Sequence, residues 1–224
     1  MSQIEATYIG HTGDDLRTSN SARVSFNKKR SEFLRKGDSR IRPTGRSDEE
    51  LIYDLARDGH FAPFGHNYVV VHVKAPIFVA RQLVKHKFLR WSEISRRYVD
   101  DRPEFYTPTE WRGRNDDIKQ GSAGVIELSL FRNNCINSAA SAVYKLYTEL
   151  LEDGVAPEMA RMVLPLATMT QWVWSGSLDA FASFYRLRHA PDSQYESRIV
   201  ADQIGEIIEY LFPVSWQALV NSKP

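Results

Sequence analysis

The sequence predicts an α+β fold. It is one helix-rich domain over residues 1–224, with a small central, mostly antiparallel sheet flanked by helices. Three observations carry this. One β-branched run, "NYVVVHVK", has the regularity of a strand. Several longer segments repeat apolar residues at helical spacing. Hydrophobic content of 42% and charge of 25% over 224 residues fit one ordinary globular core.

The elements follow in chain order. Residues 27–46 carry eight Lys and Arg against Glu32 and Asp38, with poor periodicity. They read as a solvated, partly mobile loop, or as a flap over a phosphate-bearing ligand. A helix starts at Ser47, because "SDEE" places Glu50 three residues after a serine N-cap. Ile52, Leu55 and Ala56 form its apolar stripe. In the strand that follows, Val69, Val71 and Val73 share one face, and Val70 and His72 the other. Both faces are mostly apolar, which predicts a central strand. Pro76 fits the first turn of a helix reaching about Phe88, with Ile77, Val79, Leu83 and Val84 inward. A short extended piece is predicted near "RRYVD", then a loop over "WRGRNDDIKQGSAG". A long helix is expected from about Val125 to Glu152, through Leu128, Phe131, Ile136, Ala139, Val143 and Leu146. "APEMARMVLP" reads as a short helix ended before Pro165. "SLDAFASFYRLRH" and "DSQYESRIVADQIGEIIEYLF" read as two amphipathic helices.

Composition narrows the function. A net charge of +1 gives no whole-surface field for nucleic acid or membrane, so any anion site is local. The single cysteine, Cys135, allows no internal disulfide, and a cysteine-rich metal site is absent; no metal is expected. The N-terminus lacks a basic start followed by an apolar run, and the most apolar stretch is too short to span a bilayer. A cytoplasmic protein is expected.

Against that balance, Ala80–Tyr106 stands out. It holds Arg81, Lys85, Lys87, Arg90, Arg96, Arg97 and Arg102, with Glu93 as its one early acid. Cations at a helix C-terminus are ordinary complements of its dipole, worth ~0.3–1 kcal/mol each. That accounts for Lys85 and Lys87. It leaves Arg96, Arg97, Ser92 and Ser95, and forked guanidinium contacts with hydroxyls suit a phosphate cradle.

Here the residues resemble a known family. Lys85-His86-Lys87, seven residues and Ser95, with Glu93 inside and Arg97-Tyr98 after, is similar to the signature of the flavin-dependent thymidylate synthases. "ARVSF", "GHFAPFGH", "HVKAPIFVARQ", "EFYTP", "ARMVLPL" and "LRHAPDSQYE" follow the family's order over roughly residues 20–200.

The resemblance implies reductive methylation of dUMP to dTMP. Methylenetetrahydrofolate would give the carbon, and FAD reduced by NADPH the hydride. It implies that Arg97 and Arg161 clamp the dUMP phosphate, with Gln82, Glu93, Ser95 and Arg96 also at the nucleotide. Arg188 would be the catalytic contact to the uracil carbonyl side, where charge develops. Ser25, His60, Lys85, His86, Lys87 and Glu93 would form the FAD shell. A homotetramer with sites at subunit interfaces is expected.

Plainer roles exist for several of these residues. Arg161 and Arg188 suit helix surfaces and ends, His60 and His66 suit a turn, and His72 and Ser95 suit structural duty. The other type of thymidylate synthase attacks with a cysteine. Cys135, expected mid-helix among apolar neighbours with no nearby base, is predicted to be inert. The chain also departs from the family pattern. Lys85 and Lys87 stand where Arg is usual, Ser92 where Asn is, and Gly65 where an acid is. Ser177, Asp179 and Ser183 stand where many members carry Asn, Arg and Asn. Two alternatives accompany this reading. One is flavin-dependent hydroxymethylation of a pyrimidine nucleotide. The other is a nucleic-acid-binding module using Trp91, Tyr98, Phe105 and Tyr106, which the balanced charge and missing reading motif disfavour.

Overall fold

The computed structural model describes residues 3–42, 45–114 and 121–222. Its centre is a four-stranded antiparallel sheet of β1 (Glu5–Thr12), β2 (Tyr68–Pro76), β3 (Arg90–Glu93) and β6 (Met169–Ser177), in the order β1-β2-β6-β3. The predicted α+β class holds. β2 is central, paired with β1 on one side and β6 on the other. Its Val69, Val71 and Val73 are fully buried, while Val70 and His72 are only half-buried, so helices cover one face more completely than the other. Trp172 and Trp174 on β6 bury beside the valines. Each such side chain contributes roughly 1.5–3 kcal/mol on leaving water.

The covering helices are α2 (Asp48–Arg57), α3 (Ile77–Leu83), α6 (Leu178–Arg188), α7 (Tyr195–Leu211) and α8 (Pro213–Asn221). The Ser47 capping box forms with both of its hydrogen bonds, and Ile52, Leu55 and Ala56 bury as the stripe predicts. The two later amphipathic helices form as α6 and α7. "APEMARMVLP" becomes α5 (Pro157–Ala160) and a 3-10 turn over Arg161–Val163. Gly176 lets β6 pass under Leu89; a Cβ there would sit 2.3 Å from Leu89 Cδ2.

Several expectations need correction. Pro76 ends β2 and caps α3, which stops at Leu83, so His86 is not on the helix. The chain turns there through His86 N–H to Leu83 C=O and Leu89 N–H to His86 C=O, which brings Arg90 onto β6. Val84 is exposed, not inward. The extended piece is Arg90–Glu93, and "RRY" is a turn. The long helix α4 starts at Leu130 and runs to Glu152. Val125–Ile126 is instead β5, paired with β4 (Trp111–Arg112) in a separate hairpin. Residues 115–120 of the predicted loop lie outside the described residues. α4 buries only Tyr147, and its stripe is open, with Phe131 73% exposed. Cys135 is exposed on that helix, which removes burial as the reason for its inertness. The sequence reading also passed over β1, β6, α8 and α1 (Asp15–Arg23).

The basic loop is pinned to the helices. Asp48, fully buried, takes Arg23, Arg30 and the Leu34 N–H. Arg40 pairs with Glu32 and Asp38, and Arg46 with Asp54. No helix among the described residues is long and apolar enough to cross a membrane.

Candidate functional site

The site begins at the end of α3. Arg188, in the last turn of α6, donates Nε–H to His86 Nε2 at 3.1 Å and Nη2–H to the Gln82 carbonyl oxygen at 3.1 Å. Two segments about a hundred residues apart are thereby locked together. His86 packs edge-on to Phe184 at 5.2 Å and to Trp174 at 6.3 Å. Burial, then the adjacent Arg188 charge, pushes its pKa down to about 4. A neutral imidazole can accept the arginine N–H, whereas an imidazolium cannot. Burial also lowers the Arg188 pKa without neutralising it.

Flanking His86 along the chain are cations without carboxylates. Arg81, Lys85, Lys87 and Arg90 are exposed, and none makes an ion pair among the described residues. An anion is the natural partner of such a cluster.

Glu93 closes β3. Its carboxylate takes the Thr170 hydroxyl at 2.6 Å and the Trp91 Nε1–H at 3.0 Å. The following turn is tied by Tyr98 N–H to Ser95 C=O at 3.0 Å, and the Ser95 Oγ accepts from Arg97 N–H and Nε–H, both at 3.3 Å. Arg97 is exposed and lies over the Tyr98 ring. Arg96 is paired to Asp101 at 2.8 Å.

The remaining expected residues lie apart. Arg161 is exposed in its 3-10 turn, and its Nε–H donates to the Glu158 carbonyl at 3.3 Å. Ser25 sits exposed after α1, and His60 exposed after α2. No hydrogen bond, ion pair or ring contact joins these three to His86 or Arg188 among the described residues. Hydrogen bonds thus join Gln82, His86 and Arg188, while Arg161, Ser25 and His60 stay exposed and unbonded to them among the described residues.

The sequence marks no role for Gln194, Glu196 or Arg112, yet Gln194 bonds Gln82 directly, Glu196 bonds Gln194, and Arg112 bonds Glu196. The Gln82 amide donates Nε2–H to Gln194 Oε1 and accepts the Ser197 hydroxyl at 3.3 Å. Glu196, 3% exposed, binds Arg112 and the Gln194 Nε2–H. They line a cavity of ≈ 470 Å³ with Phe78, Tyr106 and Trp111. "SQYE" was visible, but nothing in it marks a buried carboxylate. Among the described residues no cluster of His, Cys, Asp or Glu could hold a metal ion.

Comparison with known proteins is consistent along the whole chain. The family model described as thymidylate synthase complementing protein matches residues 7–214. A flavin-dependent thymidylate synthase of Thermus thermophilus is 38% identical over 214 residues, covering 94% of this chain and 73% of that protein. The one from Thermosipho africanus is 36% identical over 211 residues, covering 93% and 87%. A crystal structure of a UMP/dUMP methylase, PolB from Streptomyces cacaoi, bound with 5-Br dUMP, superposes with a TM-score of 0.81 at 28% identity, covering 99% of this chain and 96% of that one. A match spanning fold, motif order and nearly full length settles the affiliation: the chain belongs to the thymidylate synthase complementing protein family, that of the flavin-dependent thymidylate synthases.

Proposed function

We infer that this protein converts dUMP to dTMP by reductive methylation, with a flavin as hydride carrier and residues 1–224 acting as one catalytic domain. The observation that carries the reading is the Arg188–His86 contact beside four unpaired cations. It sets a half-buried guanidinium beside an anion-seeking stretch of chain. FAD suits these residues, because Lys85, Lys87 and Arg90 leave charge for its diphosphate. When bound, FAD would supply the hydride to the pyrimidine ring.

The chain's own residues have these proposed roles. Arg188 bears on the uracil carbonyl side and stabilises the charge that develops there. Arg97 and Arg161 hold the nucleotide phosphate, with Gln82, Glu93 and the turn at Ser95 and Arg96 around it. Ser25, His60, Lys85, His86, Lys87 and Glu93 form the flavin shell, with His86 acting through Arg188 and not as a cation. No thiol takes part. Methylenetetrahydrofolate is the carbon donor, NADPH the reductant, and the cytoplasm the compartment.

A homotetramer follows the same logic. The open stripe of α4 and the exposed Phe88 and Met162 form apolar surface of the kind subunits cover. Copies packed there would bring Arg161, Ser25 and His60 to a neighbour's Arg188.

UMP is a second candidate substrate, because PolB is described as acting on UMP as well as dUMP. The test is direct. Purified protein with flavin absorbance that NADPH bleaches, releasing tritium from C5-labelled dUMP in the presence of methylenetetrahydrofolate, supports the reading. Product mass separates methyl from hydroxymethyl, and labelled UMP tests the second substrate. Salt-sensitive RNA binding with no flavin would overturn it.

A further inference from the structure

Behind Gln82 a line of polar side chains ends on a buried charge. Glu196 is 3% exposed, and its Oε1 takes Arg112 Nη2–H and, at 3.5 Å, the Tyr106 hydroxyl. Arg112 is itself held over the Tyr195 ring at 4.6 Å and by its Nε–H to Ser122 Oγ at 3.1 Å. The other carboxylate oxygen takes Gln194 Nε2–H at 3.1 Å. Gln194 Oε1 then faces Gln82 and accepts its Nε2–H. Gln82 Oε1 is left to accept from Ser197 Oγ at 3.3 Å.

The two ends of an amide have the same shape and opposite polarity. What decides which end of Gln82 faces which way is therefore the last member of the line. An ionised carboxylate only accepts. It draws the NH₂ of Gln194 toward itself, which turns the Gln194 oxygen to Gln82, which in turn draws the NH₂ of Gln82. A second Nε2–H of Gln82 has no partner among the described residues. The Gln82 backbone oxygen meanwhile holds Arg188.

We propose that Glu196, anchored by Arg112, is a positioning residue that sets the polarity of Gln82 through Gln194, so that the nucleotide site offers an N–H to an acceptor oxygen of a pyrimidine nucleotide. This rests on the function inferred above. It adds a role for three side chains, Arg112, Gln194 and Glu196, to which that function assigns none.

Arg112 makes the idea testable, because a guanidinium only donates. In Glu196→Gln the new amide must turn its oxygen to Arg112. Its NH₂ then faces Gln194, and both glutamines invert. Gln82 would present a lone pair where an N–H stood. In the double variant Gln194→Glu, Glu196→Gln the charge moves one step along the line. The carboxylate at 194 again accepts from Gln82, and the original polarity returns with the net charge unchanged.

The experiment is calorimetric titration of dUMP into the flavin-loaded protein. The expected result is a rise of about tenfold in dUMP Kd for Glu196→Gln, the size of one lost hydrogen bond that also leaves a polar atom unpaired. Flavin content and Tm should stay near those of the parent. The double variant should return to within about threefold of the parent Kd. Gln194→Met, which cuts the line and leaves Arg112–Glu196 whole, should match the single variant and serves if Glu196→Gln does not fold. Parent-like dUMP binding by Glu196→Gln or by Gln194→Met, or a double variant no better than the single, overturns the proposal. A parent that keeps its flavin and binds no dUMP overturns the function beneath it as well.

Discussion

Arg188 donates to His86 across 3.1 Å, and the histidine answers as a neutral acceptor. Burial and the arginine charge hold its pKa at about 4, below the ordinary 6.5. The sign of the pH effect follows. Above 6.5 the ring is neutral in both states. As pH falls from 6.5 toward 4 the unfolded chain takes a proton that the native protein refuses, and stability drops. With allowance for solvent reaching a half-buried ring, the loss is about 1–3 kcal/mol. His86→Gln keeps an acceptor and cannot titrate, so its urea midpoint should fall less over that range. An NMR titration placing His86 near 6.5 would refute this.

Asp48 gives a prediction about stability alone. Burial pushes its pKa up, but hydrogen bonds from Ser19, the Leu34 N–H, Arg23 and Arg30 outweigh this and leave it lowered. Asp48→Asn keeps the shape and leaves the mostly buried Arg23 without its charge partner. Breaking such a pair costs about 3–5 kcal/mol. Denaturant unfolding should show a loss near the lower end, because Arg30 is partly solvated.

Gly205 sets two effects against each other. Alanine in mid-helix gains up to about 1 kcal/mol over glycine. A Cβ at 205 would lie 2.6 Å from Tyr185 Cε2. That ring is stacked on His189 at 4.7 Å and edge-on to Trp216 at 5.2 Å, so it has nowhere to go. Overpacking costs about 1–3 kcal/mol. Gly205→Ala should therefore lower Tm by a few degrees, and an unchanged or higher Tm would show that the ring can yield.

Local signals explain which parts were readable from the sequence. The Ser47 box and the stripe of α2 are interactions within one turn, and they formed as predicted. β2 was legible because three valines alternate. β6 was not: "MTQWVWSGS" mixes indoles with polar residues, and its strand character comes from nine pairings with β2. α3 is shorter than its sequence predicts because its end is set by Arg90 pairing with Ser175, a tertiary demand. The same limit applies to the site. Motif order placed His86 and Arg188 in one family pattern, and the fold brings them into contact. The line Gln82–Gln194–Glu196–Arg112 joins residues up to 112 apart and has no sequence signature.

Two variants at thiol and guanidinium should part company. Cys135 is exposed on α4, and no base contacts it among the described residues. If hydride delivery activates the ring, this sulfur has no chemical duty. Cys135→Ser is then a surface change within about ±0.5 kcal/mol, and turnover of dUMP should stay within about twofold. Arg188→Lys keeps the charge but loses the fork, and one ammonium does not reproduce the bonds to His86 Nε2 and the Gln82 oxygen while also serving the uracil carbonyl role proposed for Arg188. Removing such an electrostatic donor costs about 10²–10³ in kcat. Tritium release from labelled dUMP measures both variants in one assay. Loss of turnover in a folded Cys135→Ser, with Arg188→Lys unaffected, would move the chemistry from the guanidinium to the thiol.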